Sequence, residues 1–149
     1  MKKIPAVIAL LLISTPVLAN TPPSQCAMLD AEQARNLFER WNTSLQTGDP
    51  AKVAGNYTAD AVLLPTLSNQ PRTDLSGKLD YFNYFLKSGP IGTLDSSTLI
   101  TSCNSATDTG TYTFRFRDMP EVNARYTFTY ARVGGEWLIT SHHSSAMPE

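Results

Sequence analysis

Along the first third of the chain, apolar residues recur at spacings of three and four. Ala34, Leu37, Phe38, Trp41 and Leu45 form one stripe, and Glu32, Arg35, Glu39 and Arg40 occupy the other face. That is the pattern of an amphipathic helix lying on a core. Asp30 stands where it can cap this helix, and Gly48 stops it. Asp49-Pro50 then supplies a cap followed by proline at the first helical position, which predicts a second, short helix running to about Tyr57. Ala61 to Leu64 is an apolar run closed by Pro65 and reads as a strand, with Ser68-Asn69-Gln70-Pro71 as the loop behind it. A third helix starts at Asp74 or Ser76, with Leu75, Leu79, Phe82 and Leu86 expected on its buried face. Ser88-Gly89-Pro90 breaks it.

Beyond Gly92 the helical period gives way to threonine, isoleucine, tyrosine and phenylalanine at strand spacing, punctuated by Asp108-Thr109-Gly110, Asp118 to Asn123 and Gly134-Gly135. Four strands are expected, at Thr93 to Cys103, Thr111 to Arg117, Ala124 to Arg132 and Glu136 to Ser144. No helix separates them, so they should pair as an antiparallel meander. Helices in front and an antiparallel sheet behind make an α+β two-layer domain whose curved sheet wraps the long helix. Asp60, ahead of a strand, and Asp108, in a turn, have sufficient reason to be there as backbone-capping residues.

The N-terminus changes where this domain begins. Met1-Lys2-Lys3, the apolar run Ile4 to Leu18 and the small Ala19 follow the basic, apolar and small-residue order of a secretory signal, cleaved after Ala19. About 15 apolar residues broken by prolines fall short of the roughly 20 that span a bilayer. The expected organisation is a signal peptide at 1–19 and a single domain at 20–149, periplasmic or secreted, with no membrane attachment after cleavage. An oxidising compartment favours a disulfide between the two cysteines, Cys26 and Cys103; two buried free thiols are the alternative. Loss of Lys2 and Lys3 leaves 10 basic against 13 acidic residues, a net charge of −3, with no basic cluster. Nucleic acid, whose binding rests on neutralised phosphates, is therefore not an expected partner.

The expected strands carry an aromatic and a polar face. Tyr112, Phe114 and Phe116 alternate with Thr113, Arg115 and Arg117, and Arg125, Thr127 and Thr129 alternate with Tyr126, Phe128 and Tyr130. Arg115 and Arg117 read as solvated or interfacial. Arg125 has small neighbours on its face, which leaves room for its guanidinium at the mouth of a cavity to accept an anionic group in fork geometry. His142 and His143 are adjacent on a strand and point to opposite faces, so they cannot share a metal ion within one chain. No acidic or cysteine cluster at ligand spacing completes a metal site, and no cofactor motif is present. Ser144 and Ser145 lack the G-x-S-x-G pattern and the strand-to-helix elbow of a serine hydrolase.

Three stretches together carry a family resemblance: Phe38-Glu39-Arg40-Trp41-Asn42 with Gly48-Asp49, then Ala124 to Phe128, then Trp137 to Glu149 with its closing His-His-Ser-Ser-x-Met-Pro-Glu. The chain resembles the bacterial relatives of the calcium/calmodulin-dependent protein kinase II association domain, grouped with SgcJ/EcaC-type and SnoaL-like proteins in the nuclear transport factor 2-like superfamily. The resemblance implies a cone with a deep pocket between sheet and helices, and association through the outer sheet face into homodimers or larger rings. It implies no kinase activity. The leading expectation is a binding protein whose pocket, lined by Trp41, Tyr57, Tyr112, Arg125 and one of His142 and His143, holds a small organic ligand, with a carboxylate as one candidate. The alternatives are an isomerase, cyclase or oxidoreductase-like enzyme using His143 as general base, and a purely structural oligomerisation module.

Overall fold

The structure is a computed structural model that describes residues 26–66 and 68–148. The expected signal peptide and its cleavage point lie outside the described residues. Helix α1 spans Ala31–Gln46 and opens on a reciprocal cap, in which the Asp30 carboxylate accepts from the Gln33 N–H at 2.7 Å and the Gln33 side chain accepts from the Asp30 N–H at 3.0 Å. It buries Ala34, Phe38, Trp41 and Leu45 of the expected stripe, with Leu37 half-buried, and Asn42 and Ser44 in addition. Helix α2, Pro50–Ala54, is capped by Asp49 and shorter than expected, because strand β1 already begins at Tyr57 and runs to Leu64. Helix α3 spans Leu75–Phe85 and ends in a 3-10 turn at Leu86–Ser88.

The buried face of α3 shares Phe82 with the expected one and otherwise differs from it. Lys78, Tyr81, Phe82 and Phe85 are buried, whereas Leu75 is 53% exposed. The two extra aromatic rings fill more of the space beneath the sheet than the leucines could, so the helix presents them inward. Lys78 is buried with them and donates through Nζ to the carbonyls of Ala59 and Ala61, at 3.2 and 2.8 Å. Those carbonyls lie where the pairing of β1 is irregular, between Tyr57 and Val62. The ammonium satisfies acceptors that the sheet ladder leaves open there.

Strands β2 (Ile91–Ser102), β3 (Ser105–Arg115), β4 (Val122–Val133) and β5 (Glu136–Ala146) form the expected antiparallel meander, and β1 adds to β5 in parallel, giving the order β1-β5-β4-β3-β2. The hairpin between β4 and β5 turns on Gly134 and Gly135, both at positive φ. Asp108-Thr109-Gly110, expected as a turn, lies inside β3. Its glycine is required there, because a Cβ would collide with the Ser96 carbonyl oxygen at the β2 irregularity. Asp108 is accordingly no capping residue. It is 1% exposed and accepts from Ser97 Oγ at 2.6 Å and Tyr126 OH at 3.2 Å.

Among the described residues, helices α1 and α3 pack on one face of the sheet, with α2 against them. Asn42 of α1 grips β2 there, exchanging two 2.8 Å hydrogen bonds with the backbone of Gly92. Cys26 and Cys103 are joined by a disulfide with Cα atoms 5.0 Å apart. Beside it Asn104 accepts from the Ala27 N–H and donates its own N–H back to the Ala27 carbonyl. The segment that leads into α1 is thereby fixed to the β2–β3 turn.

Candidate functional site

Alternation on β3 and β4 sends Tyr112, Phe114, Tyr126 and Phe128 to the covered face and Thr109, Thr111, Arg125 and Thr127 to the open one. On β5 the alternation is interrupted. Thr129 pairs with Ser141 and Tyr130 with Ile139, which leaves Thr140 as an extra residue. That bulge reverses the parity of the remainder of the strand, so Ile139 and His142 both point inward although three positions apart.

Between the sheet and α3 lies a cavity of about 280 Å³. Trp41, Tyr81, Phe82, Phe85, Phe114 and Phe116 form most of its wall, with Leu63, Pro65, Val122 and Ala124 between them and Met119 and Pro120 contributed by the β3–β4 connection. Tyr112, His142, Ser144 and Thr66 supply its polar end. Among the described residues, no Asp, Glu, Lys or Arg lines it.

A continuous chain of hydrogen bonds runs from the core to that polar end. Trp41 Nε1–H donates to Tyr57 OH at 2.9 Å, and the Tyr57 hydroxyl lies 2.9 Å from His142 Nδ1. His142 Nε2 is 3.4 Å from Tyr112 OH, which donates to Ser144 Oγ at 2.6 Å; Ser144 Oγ is 2.6 Å from Thr66 Oγ1. The indole can only donate, so Tyr57 accepts from it and spends its single hydrogen on Nδ1. His142 is then neutral with its proton on Nε2. Burial, reinforced by neighbouring His143, pushes its pKa down to about 3. The imidazole is held between the faces of Phe128, centroids 4.0 Å apart, and the edge of Trp41 at 5.3 Å. Burial also raises the pKa of the Tyr57 and Tyr112 hydroxyls, so both stay protonated across the physiological range.

The structure thus brings together four of the six residues expected in the pocket: Trp41, Tyr112 and His142 on its wall, and Tyr57 immediately behind them. Arg125 and His143 stand apart. Both are exposed on the open face of the sheet, in a shallow groove with Thr98, Thr109, Thr111, Thr127 and Ser145, and Arg125 makes a 3.5 Å contact with the Ala146 carbonyl. The small neighbours that suggested a cavity mouth belong to that open face. His143 has no route to the aromatic cavity, so the general-base role expected for it has no support there. Ser144 is bonded to Tyr112 and Thr66, with Tyr112 interposed before the imidazole, which is not a nucleophile–base pair. Thr66, Tyr81, Phe85 and Phe116 were absent from the expected lining. The aromatic cluster at 81–85 was the one available signal for α3.

The family profile of the calcium/calmodulin dependent protein kinase II association domain matches residues 30–148. A crystal structure of an association-domain candidate from Xanthomonas campestris is 45% identical, covers 80% of this chain and 89% of its own, and superposes with a TM-score of 0.78. A nuclear transport factor 2-like protein of unknown function from Pseudomonas putida shares the fold at 20% identity, with a TM-score of 0.70 over 79% of this chain and 87% of that one. A dehydratase candidate of the same superfamily from Streptomyces avermitilis does so at 15% identity and a TM-score of 0.70, over 79% and 96%. No curated protein shows significant similarity. The three helices on one face of a curved, mostly antiparallel sheet are the nuclear transport factor 2-like fold, and with a profile match over nearly the whole described chain the protein belongs to the calcium/calmodulin dependent protein kinase II association domain family.

Proposed function

We propose that the protein is an exported, self-associating binding protein whose aromatic cavity takes a small organic molecule. The observation that carries this reading is the cavity itself, an apolar volume of about 280 Å³ with one polar end made by Tyr112, His142, Ser144 and Thr66. Pockets for small organic ligands have this composition, apolar walls for affinity and a few convergent polar groups for orientation. The charge-free lining argues for a ligand without a formal charge in the buried part, since an ion there would lose its hydration unpaired. An anion anchored by Arg125 does not fit, because Arg125 lies on the other side of the sheet.

Export is supported by the order of residues 1–19 and by the disulfide, a bond that persists in oxidising compartments. Self-association is supported by the family to which the chain belongs and by the open sheet face, which no helix among the described residues covers and which carries Thr98, Thr109, Thr127 and Arg125 beside the exposed Ile100. The activity is binding and assembly, with no phosphoryl transfer.

Native mass spectrometry of protein purified from its own host tests both halves together. A dimer or larger ring beginning at Asn20 and retaining a small uncharged molecule is the expected result. A monomer that stays empty and gains no thermal stability from any apolar aromatic compound would refute it.

A further inference from the structure

The hydrogen bonds around His142 determine what kind of polar group the cavity recognises, provided that it binds small molecules as proposed above. Trp41, Tyr57, neutral His142, Tyr112, Ser144 and Thr66 each own one polar hydrogen, and five contacts link the six groups in a line. One hydrogen is therefore left over in any arrangement. The indole fixes the direction at the buried end, because running the line the other way would strand the Tyr57 hydroxyl hydrogen in the core without an acceptor. The surplus hydrogen comes to rest on Ser144 or Thr66, the two half-buried hydroxyls at the cavity's polar end.

We propose that this end is a hydrogen-bond donor and that the cavity selects uncharged, ring-containing ligands bearing a carbonyl, such as ketones and quinones, with the oxygen against Ser144 and Thr66. The aromatic walls of Phe85, Phe114 and Phe116 hold the ring. A carboxylate is disfavoured, since no cation among the described lining residues compensates it.

Equilibrium dialysis of 2-acetylnaphthalene, of 2-isopropenylnaphthalene, in which the carbonyl oxygen becomes a methylene, and of 2-naphthoate decides the matter. The ketone should bind roughly five-fold or more tightly than the alkene, and more tightly than the carboxylate, as one added hydrogen bond allows. Thr66→Val and Ser144→Ala each leave a hydroxyl donor at the polar end and keep the preference. The double variant leaves only the deeper Tyr112 hydroxyl, so the preference of ketone over alkene should shrink to less than about two-fold. Equal binding of ketone and alkene by the parent, tighter binding of the carboxylate, or a preference that survives the double variant overturns the proposal while leaving the cavity a binding site. Failure of all three compounds to bind overturns the binding reading as well. Should the double variant not fold, the carbonyl carbon resonance of 13C-labelled ketone bound to the parent decides: a downfield shift from its value in alkane solvent is expected, and an unshifted resonance refutes the donor.

Discussion

The hydroxyl of Tyr57 and Nδ1 of His142 lie 2.9 Å apart in the core, and because Tyr57 also accepts from Trp41, it must donate to the imidazole. The bond commits His142 to the neutral form. Its consequence appears in the dependence of stability on pH. The folded pKa of about 3 lies below the ordinary value of 6.5, so between those limits the unfolded chain takes up a proton that the native state refuses. Stability should fall as pH drops from about 6.5 towards 3, by as much as about 5 kcal/mol if the shift is fully expressed. Urea unfolding of the parent and of His142→Phe across this range checks it. The variant is weaker at neutral pH, because the Tyr57 hydroxyl loses its acceptor and Tyr112 loses a donor, yet its stability should decline less steeply in acid; parallel profiles would contradict the assignment.

Asp108 should act in the opposite direction. Burial raises its pKa above the ordinary 3.8, against the lowering effect of its bonds from Ser97 and Tyr126. The native state therefore holds a proton that the unfolded state has released, and this contribution to stability is present at low pH and lost as pH rises through the folded value. In Asp108→Asn that loss disappears, so the difference in unfolding free energy between parent and variant should change with pH in the window above 3.8. A difference that stays constant would show that the carboxyl titrates normally.

How much of this was legible in sequence depended on whether a period ran unbroken. The α1 stripe and its Asp30 cap could be read because 3.6-residue spacing persisted for about four turns, and β3 and β4 announced their aromatic faces by simple alternation. Thr140 defeated the same logic. One extra residue in β5 exchanges the faces of everything after it, so neither His142 nor His143 could be assigned to the cavity from spacing. Asp108-Thr109-Gly110 has the composition of a turn but lies inside β3. Its glycine answers to a neighbouring strand and its acid to partners 11 and 18 positions away. Thr66 meets Ser144 across 78 positions, a contact that only the parallel docking of β1 on β5 creates.

Lys78 offers a test of the irregular strand. Its Nζ is the donor for the carbonyls of Ala59 and Ala61, and burial lowers its pKa despite the opposing influence of Asp74 and Asp60. Lys78→Met keeps most of the apolar stem and removes the donor. Loss of about 1–3 kcal/mol in chemical denaturation is expected, the cost of leaving a buried acceptor unpaired. A variant as stable as the parent would mean that water replaces the ammonium.

The disulfide closes a loop between positions 77 apart. Constraint of the unfolded chain on that scale contributes on the order of 4 kcal/mol in the chain-entropy model. Oxidatively purified protein should show no titratable thiol in denaturant, and Cys26→Ser/Cys103→Ser should unfold at lower urea with the cavity's ligand affinity preserved. Two reactive thiols in the parent would rule the bond out.

Arg125 separates the two halves of the proposed function. It sits with Thr127 and His143 on the sheet face opposite the aromatic cavity, so a substitution there should not reach a ligand held by Phe85 and Ser144. Arg125→Glu is expected to leave 2-acetylnaphthalene affinity within about two-fold, since distant sites without shared partners act additively. If copies of the chain meet through the open sheet face, the same reversal brings like charges together or breaks a pairing in the interface, and sedimentation equilibrium should show dissociation at micromolar concentration. Loss of ligand with assembly intact would return Arg125 to the binding site and contradict the geometry. Unchanged assembly and unchanged affinity together would show that the open face is not where the subunits meet, and association would then have to use another surface.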